Sequence, residues 1–258
     1  MSYLEKAADT LSSVKNGMRI LRLFSVETPE LGVTEMAQRL GLHKTTVHRL
    51  ATLLEKEGFL EQNKKTRKYR LGLSILHLSG VIDLHTEIFK DAVPILESLM
   101  KEANEAVHLS VLEDDRIVYL YKIECPHPVR LLSHIGRSNP CTCTSSGKVI
   151  LAFSPKSIVE SILRRGLPKY GPNSVTDRNE FIRQLATIRQ QGYAVCIDEL
   201  HEGATSIAAP IRDYSGDVVA AVSIVGPNQR ITQANILRLV ELACQAARDI
   251  SLLLGYYD

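Results

Sequence analysis

GVTEMAQRLGLHKTTVHRLATLLEKEGFL, residues 32–60, carries two apolar ladders with a single glycine between them. Met36, Ala37 and Leu40 form the first ladder, with Thr34 as its expected cap and Gly41 as its stop. Val47, Leu50, Leu53 and Leu54 form the second, which ends at Gly58. Spacings of three and four put each set on one helix face. Two short helices joined by a tight glycine turn make a helix-turn-helix, whose second member enters the DNA major groove with its N-terminal side chains at the base edges. Here those side chains are polar: His43, Lys44, Thr45, Thr46, His48 and Arg49 surround the inward-facing Val47. Arginine can pair with guanine, threonine can bond a phosphate or pack on a thymine methyl, and lysine contributes mainly charge.

The flanks fit the same reading. Downstream, Phe59 and Leu60 open a short strand, and Tyr69 and Leu71 supply its return before Gly72. The tip between them, Asn63 to Lys68, holds Lys64, Lys65, Arg67 and Lys68, a basic wing suited to neutralising phosphates. Binding through such contacts falls steeply with salt. Upstream, Leu11, Val14, Met18, Leu21 and Phe24 predict an amphipathic helix capped by Ser12 or Ser13. A charge run alone is usually a solvated face, and glycine-separated helices are common. Their occurrence in this order within about sixty residues points to a winged helix-turn-helix over residues 12–72 that binds double-stranded DNA.

Composition bounds the remainder. A chain of 258 residues suggests two domains of unequal size. Its 45% apolar and 23% charged residues are those of an ordinary globular protein. No apolar run reaches membrane-spanning length and the N-terminus MSYLEKAADT carries acids, so no membrane partner and a cytoplasmic location are expected. Cys125, Cys141, Cys143, Cys196 and Cys244 are an odd, dispersed set, which implies reduced thiols. The net charge of +2 hides an asymmetry, because residues 1–80 hold 13 Lys/Arg against 8 Asp/Glu. The basic end is the one expected to approach phosphates.

After the wing, residues 73–84 (LSILHLSGVIDL) and Thr86 to Met100 have helical apolar spacing, with Pro94 near the first turns of the second stretch. The period then changes to two. AVHLSVLE and DRIVYLYKIE, joined at Asp114–Asp115, predict a hairpin; VRLLSHIG, YAVCIDE, SIAAPIRD and DVVAAVSIVG predict further strands, the last two joined at Tyr214-Ser215-Gly216. Helices are expected over SSGKVILAF, over SPKSIVESILRRG with Ser154 as cap and Pro155 in first position, over DRNEFIRQLATIRQQG, and from Thr232 to Leu254. The fold class is therefore α+β, a largely antiparallel sheet with flanking helices of a kind that often holds a small ligand.

GVTEMAQRLGLHKTTVHRLATLLEKEGFLE with YRLG, then PCTCTSSGKVILA, QGYAVCIDELHEGATSIAAPI and VVAAVSIVGP, resemble in order and spacing the IclR family of bacterial transcriptional regulators. The resemblance implies a DNA-binding domain over residues 1–72, a linker helix over 73–90 and a GAF-like effector domain over 91–258. It also implies homodimers or homotetramers on palindromic operators, and small-molecule effectors such as organic, sugar or aromatic acids. The effector site it implies lies beside Thr144-Ser145-Ser146-Gly147, where N–H groups at a helix N-terminus favour a carboxylate. Cys143, Ser145, Ser146, Gly147, Cys196 and Ser206 are its expected residues. Two of them depart from relatives that take small keto acids, with Cys196 in place of an acid and Ser206 in place of a cysteine; Thr205 replaces an arginine.

Cys141, Cys143 and Cys196, with His108, His134 or His201 nearby, offer an alternative: a metal- or redox-responsive regulator. Cys-x-Cys alone is a weak signature, and a buried cysteine is often a small apolar residue. No metal or cofactor is expected. An enzyme is not expected either, because no catalytic triad spacing is visible. Gly147-Lys148 does not complete a phosphate-binding loop, since Cys143 stands where that loop needs its first glycine.

Overall fold

A computed structural model describes residues 3–25, 28–78, 87–127 and 138–257, with side chains left out over 3–11 and 87–88. The chain divides into two compact units, residues 1–87 and 88–258.

The first unit contains α1 (Tyr3–Leu21), α2 (Val33–Leu40), α3 (Lys44–Lys56) and a hairpin of β1 (Leu60–Gln62) and β2 (Tyr69–Leu71). Its core is Ile20, Leu31, Met36, Val47, Leu50, Leu60 and Tyr69. Leu31 and Tyr69 exchange backbone hydrogen bonds of 2.9 and 2.8 Å, tying the segment before α2 to the wing. Gly41 ends α2 in the left-handed conformation at φ 65°, which a residue with a Cβ adopts only at a cost. The turn between α2 and α3 is thus the one the sequence predicts.

Several local expectations need correction. The first helix begins at Tyr3, so Ser12 and Ser13 lie in its interior and cap nothing. It turns Gly17 and Ile20 inward and leaves Val14 and Met18 more than half exposed. Leu53 of α3 is also exposed, because Ala51 takes the inward position beside Leu50. Thr34 lies within α2; Gly32 is the cap residue, and its N–H donates to the Glu35 carboxylate at 2.7 Å.

In the second unit a 3₁₀ turn (Glu87–Ala92) leads into α4 (Val93–Ala103), shorter than the single helix expected, with Pro94 in its first turn where no N–H is needed. A six-stranded antiparallel sheet follows, in the order β5 (Ser138–Pro140), β4 (Arg116–Ile123), β3 (Ala106–Glu113), β8 (Val218–Pro227), β7 (Ala204–Arg212), β6 (Ala194–Ile197). α5 (Ser145–Phe153), α6 (Lys156–Arg164) and α7 (Arg178–Gln191) separate β5 from β6, and α8 (Ile236–Leu253) closes the unit.

Alternation along the strands sorts the two cores. Ile207, Ala209 and Ile211 of β7, with Ala220, Val222 and Ile224 of β8, face α4 and α8. Ala208 and Ala221 face α5 to α7. The unit is therefore a sheet between two helical layers, each of which buries one face of it. β7 runs on past β6: Ala194 pairs with Ala208, and Ala209 to Arg212 pair only with β8. At that overhang Pro210 has no N–H, and the N–H of Arg212 donates to Ser251 Oγ of α8 at 2.9 Å.

The α+β class holds, as do the strands over AVHLSVLE, DRIVYLYKIE, YAVCIDE, SIAAPIRD and DVVAAVSIVG. VRLLSHIG lies outside the described residues, as does the part of LSILHLSGVIDL beyond Leu78; residues 73–78 are helical. Ser154 does not cap α6. Its hydroxyl turns back to Ile150 O at 2.9 Å, and Pro155 is the cap residue. The last helix starts at Ile236 rather than Thr232, because the Asn235 side chain accepts the Thr232 N–H at 2.8 Å and holds residues 232–235 as a turn.

Candidate functional site

The first unit presents one polar face. His43 is the N-cap residue of α3, and His43, Lys44, Thr45, His48 and Arg49 are exposed, with Thr46 half-buried beside Val47. The wing is fixed at both ends. Its tip is closed by Asn63, whose Oδ1 accepts the N–H groups of Lys65 and Thr66 at 3.0 and 3.2 Å. Its base is closed by Gly72, where a Cβ would stand 2.2 Å from the carbonyl oxygen of Gly58. Lys64, Lys65 and Arg67 are exposed. Lys68 instead lies 3.7 Å from Glu35, and the Gly32 N–H and then Lys68 hold that carboxyl below its ordinary range. Part of the charge of Lys68 is thus already answered within the unit.

The second unit contains a cavity with about 550 Å³ of atom-free space, counting its open mouth. One wall is the start of α5. Thr144 caps that helix by accepting the Gly147 N–H at 3.2 Å, while its hydroxyl donates to Pro140 O at 3.1 Å. Gly147 sits so close to Cys141 that a Cβ would meet its carbonyl oxygen at 2.1 Å. That approach brings the 3₁₀ turn Cys141–Cys143 against the helix and aims Ser145 and Ser146 into the cavity. N–H groups of a helix's first turn have no intrahelical acceptor and carry the positive end of its dipole.

The sheet supplies the opposite wall: His108 of β3, Tyr119 of β4, Asn139 of β5, Cys196 of β6, Thr205 and Ser206 of β7. The His108 and Tyr119 rings lie 4.9 Å apart, and Asn139 Nδ2 donates to the Tyr119 hydroxyl at 3.0 Å. Burial, and then the charge of Lys122, push the His108 imidazole down to about 3, so it is neutral at physiological pH.

A buried ion pair supports the cavity floor. Lys148 is 1% exposed, and its Nζ bonds both carboxylate oxygens of Glu199, at 2.6 and 2.5 Å, and Gln184 Oε1 at 2.8 Å. Glu199 lines the cavity. Its carbonyl accepts from the Gly171 N–H at 2.8 Å and from Ser174 Oγ at 2.5 Å. At Gly171 a Cβ would stand 2.3 Å from Asp198 O, which explains the glycine.

Of the residues singled out from the sequence, Cys143, Ser145, Ser146, Cys196 and Ser206 line this cavity, as do His108 and His201. Gly147 does not; it is spent on the approach to Cys141. The three thiols do not converge, because Cys141 is fully buried in the core between the sheet and α5. The Cys141-Thr142-Cys143 segment is a 3₁₀ turn, not an extended strand. Burial pushes the thiols of Cys141 and Cys143 up to about 12 and that of Cys196 well above its ordinary value. Burial thus disfavours the thiolate, the form that reacts in thiol exchange. Among the described residues no three His, Cys, Asp or Glu side chains are grouped to hold a metal ion. His134 lies outside the described residues. Sequence reasoning missed Lys148, Gln184 and Glu199, whose sole signal was a lysine inside the apolar run of α5.

Among the described residues no helix is long and apolar enough to cross a membrane. Two family models match the sequence: the IclR helix-turn-helix domain over residues 13–64 and the bacterial transcriptional regulator IclR C-terminal domain over residues 82–252. The HTH-type transcriptional regulator KdgR of Dickeya chrysanthemi is 34% identical over 256 residues, which span 99% of this chain and 84% of that protein. The crystal structure of an IclR transcriptional regulator from Alicyclobacillus acidocaldarius is similar with a TM-score of 0.81 at 30% identity, over 95% of this chain and 99% of that one. An IclR homologue from Microbacterium hydrocarbonoxydans, solved in complex with 4-hydroxybenzoate, gives a TM-score of 0.82 at 28% identity over 94% and 98% of the two chains.

Proposed function

The chain belongs to the IclR family of bacterial transcriptional regulators, and from that premise we propose that a small hydroxylated acid, bound in the cavity between α5 and the sheet, changes its affinity for a DNA operator. Regulators, not enzymes, are what it resembles along its whole length. The observation that carries the reading is the character of the cavity. Ser145, Ser146, Ser206 and Tyr119 bring hydroxyls to the cavity at a helix N-terminus, while the buried cation beneath it, Lys148, is already bonded to Glu199. A carboxylate there is met by backbone N–H groups and the helix dipole, and the rest of the ligand by hydroxyls. The Microbacterium homologue carries an aromatic acid bearing one hydroxyl, which fits the same class.

In this reading His43, Lys44, Thr45, Thr46, His48 and Arg49 meet the major groove and Lys64, Lys65, Arg67 and Lys68 the flanking phosphates, in a cytoplasmic homodimer or homotetramer whose paired units read palindromic half-sites. Effector and operator affinities are then reciprocally linked. A thermal-shift screen with hydroxylated sugar acids and aromatic acids, followed by operator titration with each hit, tests it. At least one acid is expected to raise the melting temperature and to change operator affinity by about fivefold or more. If no acid that stabilises the protein alters operator affinity, the proposed regulation is wrong.

A further inference from the structure

A second concavity lies at the opposite end of the sheet, where β7 outruns β6 and α8 passes over the overhang. It has about 1080 Å³ of atom-free space, counting its open mouth. Its apolar walls include Phe153, Ala209, Ala247 and Leu252. Three arginines from three separate elements enter it: Arg189 from the end of α7, Arg212 from the end of β7 and Arg248 from α8.

No carboxylate lines this notch, and none of the three arginines forms an ion pair among the described residues. Their hydrogen bonds go to neutral groups. Arg189 Nε donates to Ala152 O at 2.5 Å, Arg212 Nη1 to Gly216 O at 2.7 Å, and Arg248 Nη2 to Gln245 Oε1 at 2.8 Å. Each guanidinium has five N–H donors, so most of the donor capacity stays available. The Arg212 guanidinium also lies over aromatic rings, 4.6 Å from the Phe153 ring centre and 5.8 Å from that of Tyr256. The Arg189 guanidinium lies 5.9 Å from the centre of the same Phe153 ring. Stacking orients a guanidinium while leaving its edge free to donate.

Helix-end carbonyls offset part of this charge, because Arg189 is in the last turn of α7. A partial charge of about half a unit does not balance three whole ones. We propose that the notch formed by Arg189, Arg212 and Arg248 is a second ligand site, separate from the α5 cavity, that takes a small phosphate-bearing anion. A monocarboxylate would leave most of the charge unanswered, whereas a phosphate group brings nearly two charges and oxygens that accept guanidinium forks from several directions. The site stands independently of the operator and of any acid in the α5 cavity.

Calorimetric titration of the full-length chain with pyrophosphate, at constant ionic strength, tests the assignment. It is best done in a K64A/K65A/R67A background, which removes phosphate affinity from the wing and leaves the notch intact. Saturable binding at one site per chain is expected, about tenfold weaker or absent after Arg212→Gln. The double variant R189Q/R248Q, at two exposed positions, should show the same loss with an unchanged melting curve. Phenyl phosphate should compete with pyrophosphate, and benzoate at equal concentration should not. Absence of saturable binding in the wing variant, or undiminished affinity in both arginine variants, would overturn the site. Equal competition by benzoate would overturn its phosphate character.

Discussion

Lys148 Nζ stands 2.6 and 2.5 Å from the two carboxylate oxygens of Glu199, and neither side chain is more than 8% exposed. The two residues are 51 positions apart, one on α5 and the other just after β6, so this pair joins the two walls of the cavity between α5 and the sheet. Removing one partner strands a buried charge. Lys148→Met is expected to cost about 3–5 kcal/mol, and the paired replacement K148M/E199L to recover much of it. Urea unfolding of the three proteins decides this; a double variant no more stable than the single one would show that the pair is not the source of the loss.

Specific and general DNA contacts should separate. Arg49→Ala and Thr46→Ala are expected to reduce discrimination between operator and random DNA by roughly tenfold each, about 1–3 kcal/mol. Lys65→Ala, at an exposed wing position, should weaken both DNAs alike and lower the salt slope by about one. Gel-shift titrations at two salt concentrations read both effects, and equal losses on both DNAs from every variant would reject the assigned roles.

His108 makes the second unit sensitive to acid. Its imidazole titrates at about 3 when buried, against 6.5 when unfolded, so between those values the unfolded chain binds the extra proton. The stabilisation is fully present above 6.5 and is lost as pH falls toward 3. From pH 7 to pH 5 this one residue should cost about 2 kcal/mol. Denaturant unfolding of the parent chain and of His108→Gln at both pH values measures it, and an equal acid loss in the two proteins would assign the effect elsewhere.

Gly147→Ala should fail where Gly17→Ala is mild. Its methyl would stand 2.1 Å from Cys141 O and 2.4 Å from Cys141 Cα, so either the 3₁₀ turn or the start of α5 must move. We expect a loss of several kcal/mol or insoluble protein, whereas Gly17→Ala, with nothing within 4 Å of its added carbon, should be stabilising by about 0.5–1 kcal/mol. Circular-dichroism melts of both variants distinguish the cases.

What the sequence displays openly is what is decided locally. The α2 turn follows from Gly41, the wing tip from Asn63, and the β3–β4 hairpin from Asp114, which takes a positive φ of 55°. Apolar spacing is a weaker guide to which face is buried, since a helix with apolar residues on two flanks can turn either one inward. Spacing alone puts Val14, Met18 and Leu53 in the core, whereas Gly17, Ile20 and Ala51 occupy it. The cavity floor was not legible, because nothing near Lys148 in the chain announces a carboxylate 51 residues away. The cysteine cluster failed for a related reason: the backbone shape of Cys141–Cys143 depends on the packing of Gly147, not on the cysteines.

The overhang of β7 also bears on how the protein behaves when concentrated. A bare strand margin is a template onto which another chain can add its own backbone, the usual first step toward fibres. Here the imino acid at 210 withholds a donor and the serine of α8 occupies the next one, so the margin offers an incoming strand little to hold. Pro210→Ala combined with Ser251→Ala would restore both, and such a chain should become the one that gels on storage.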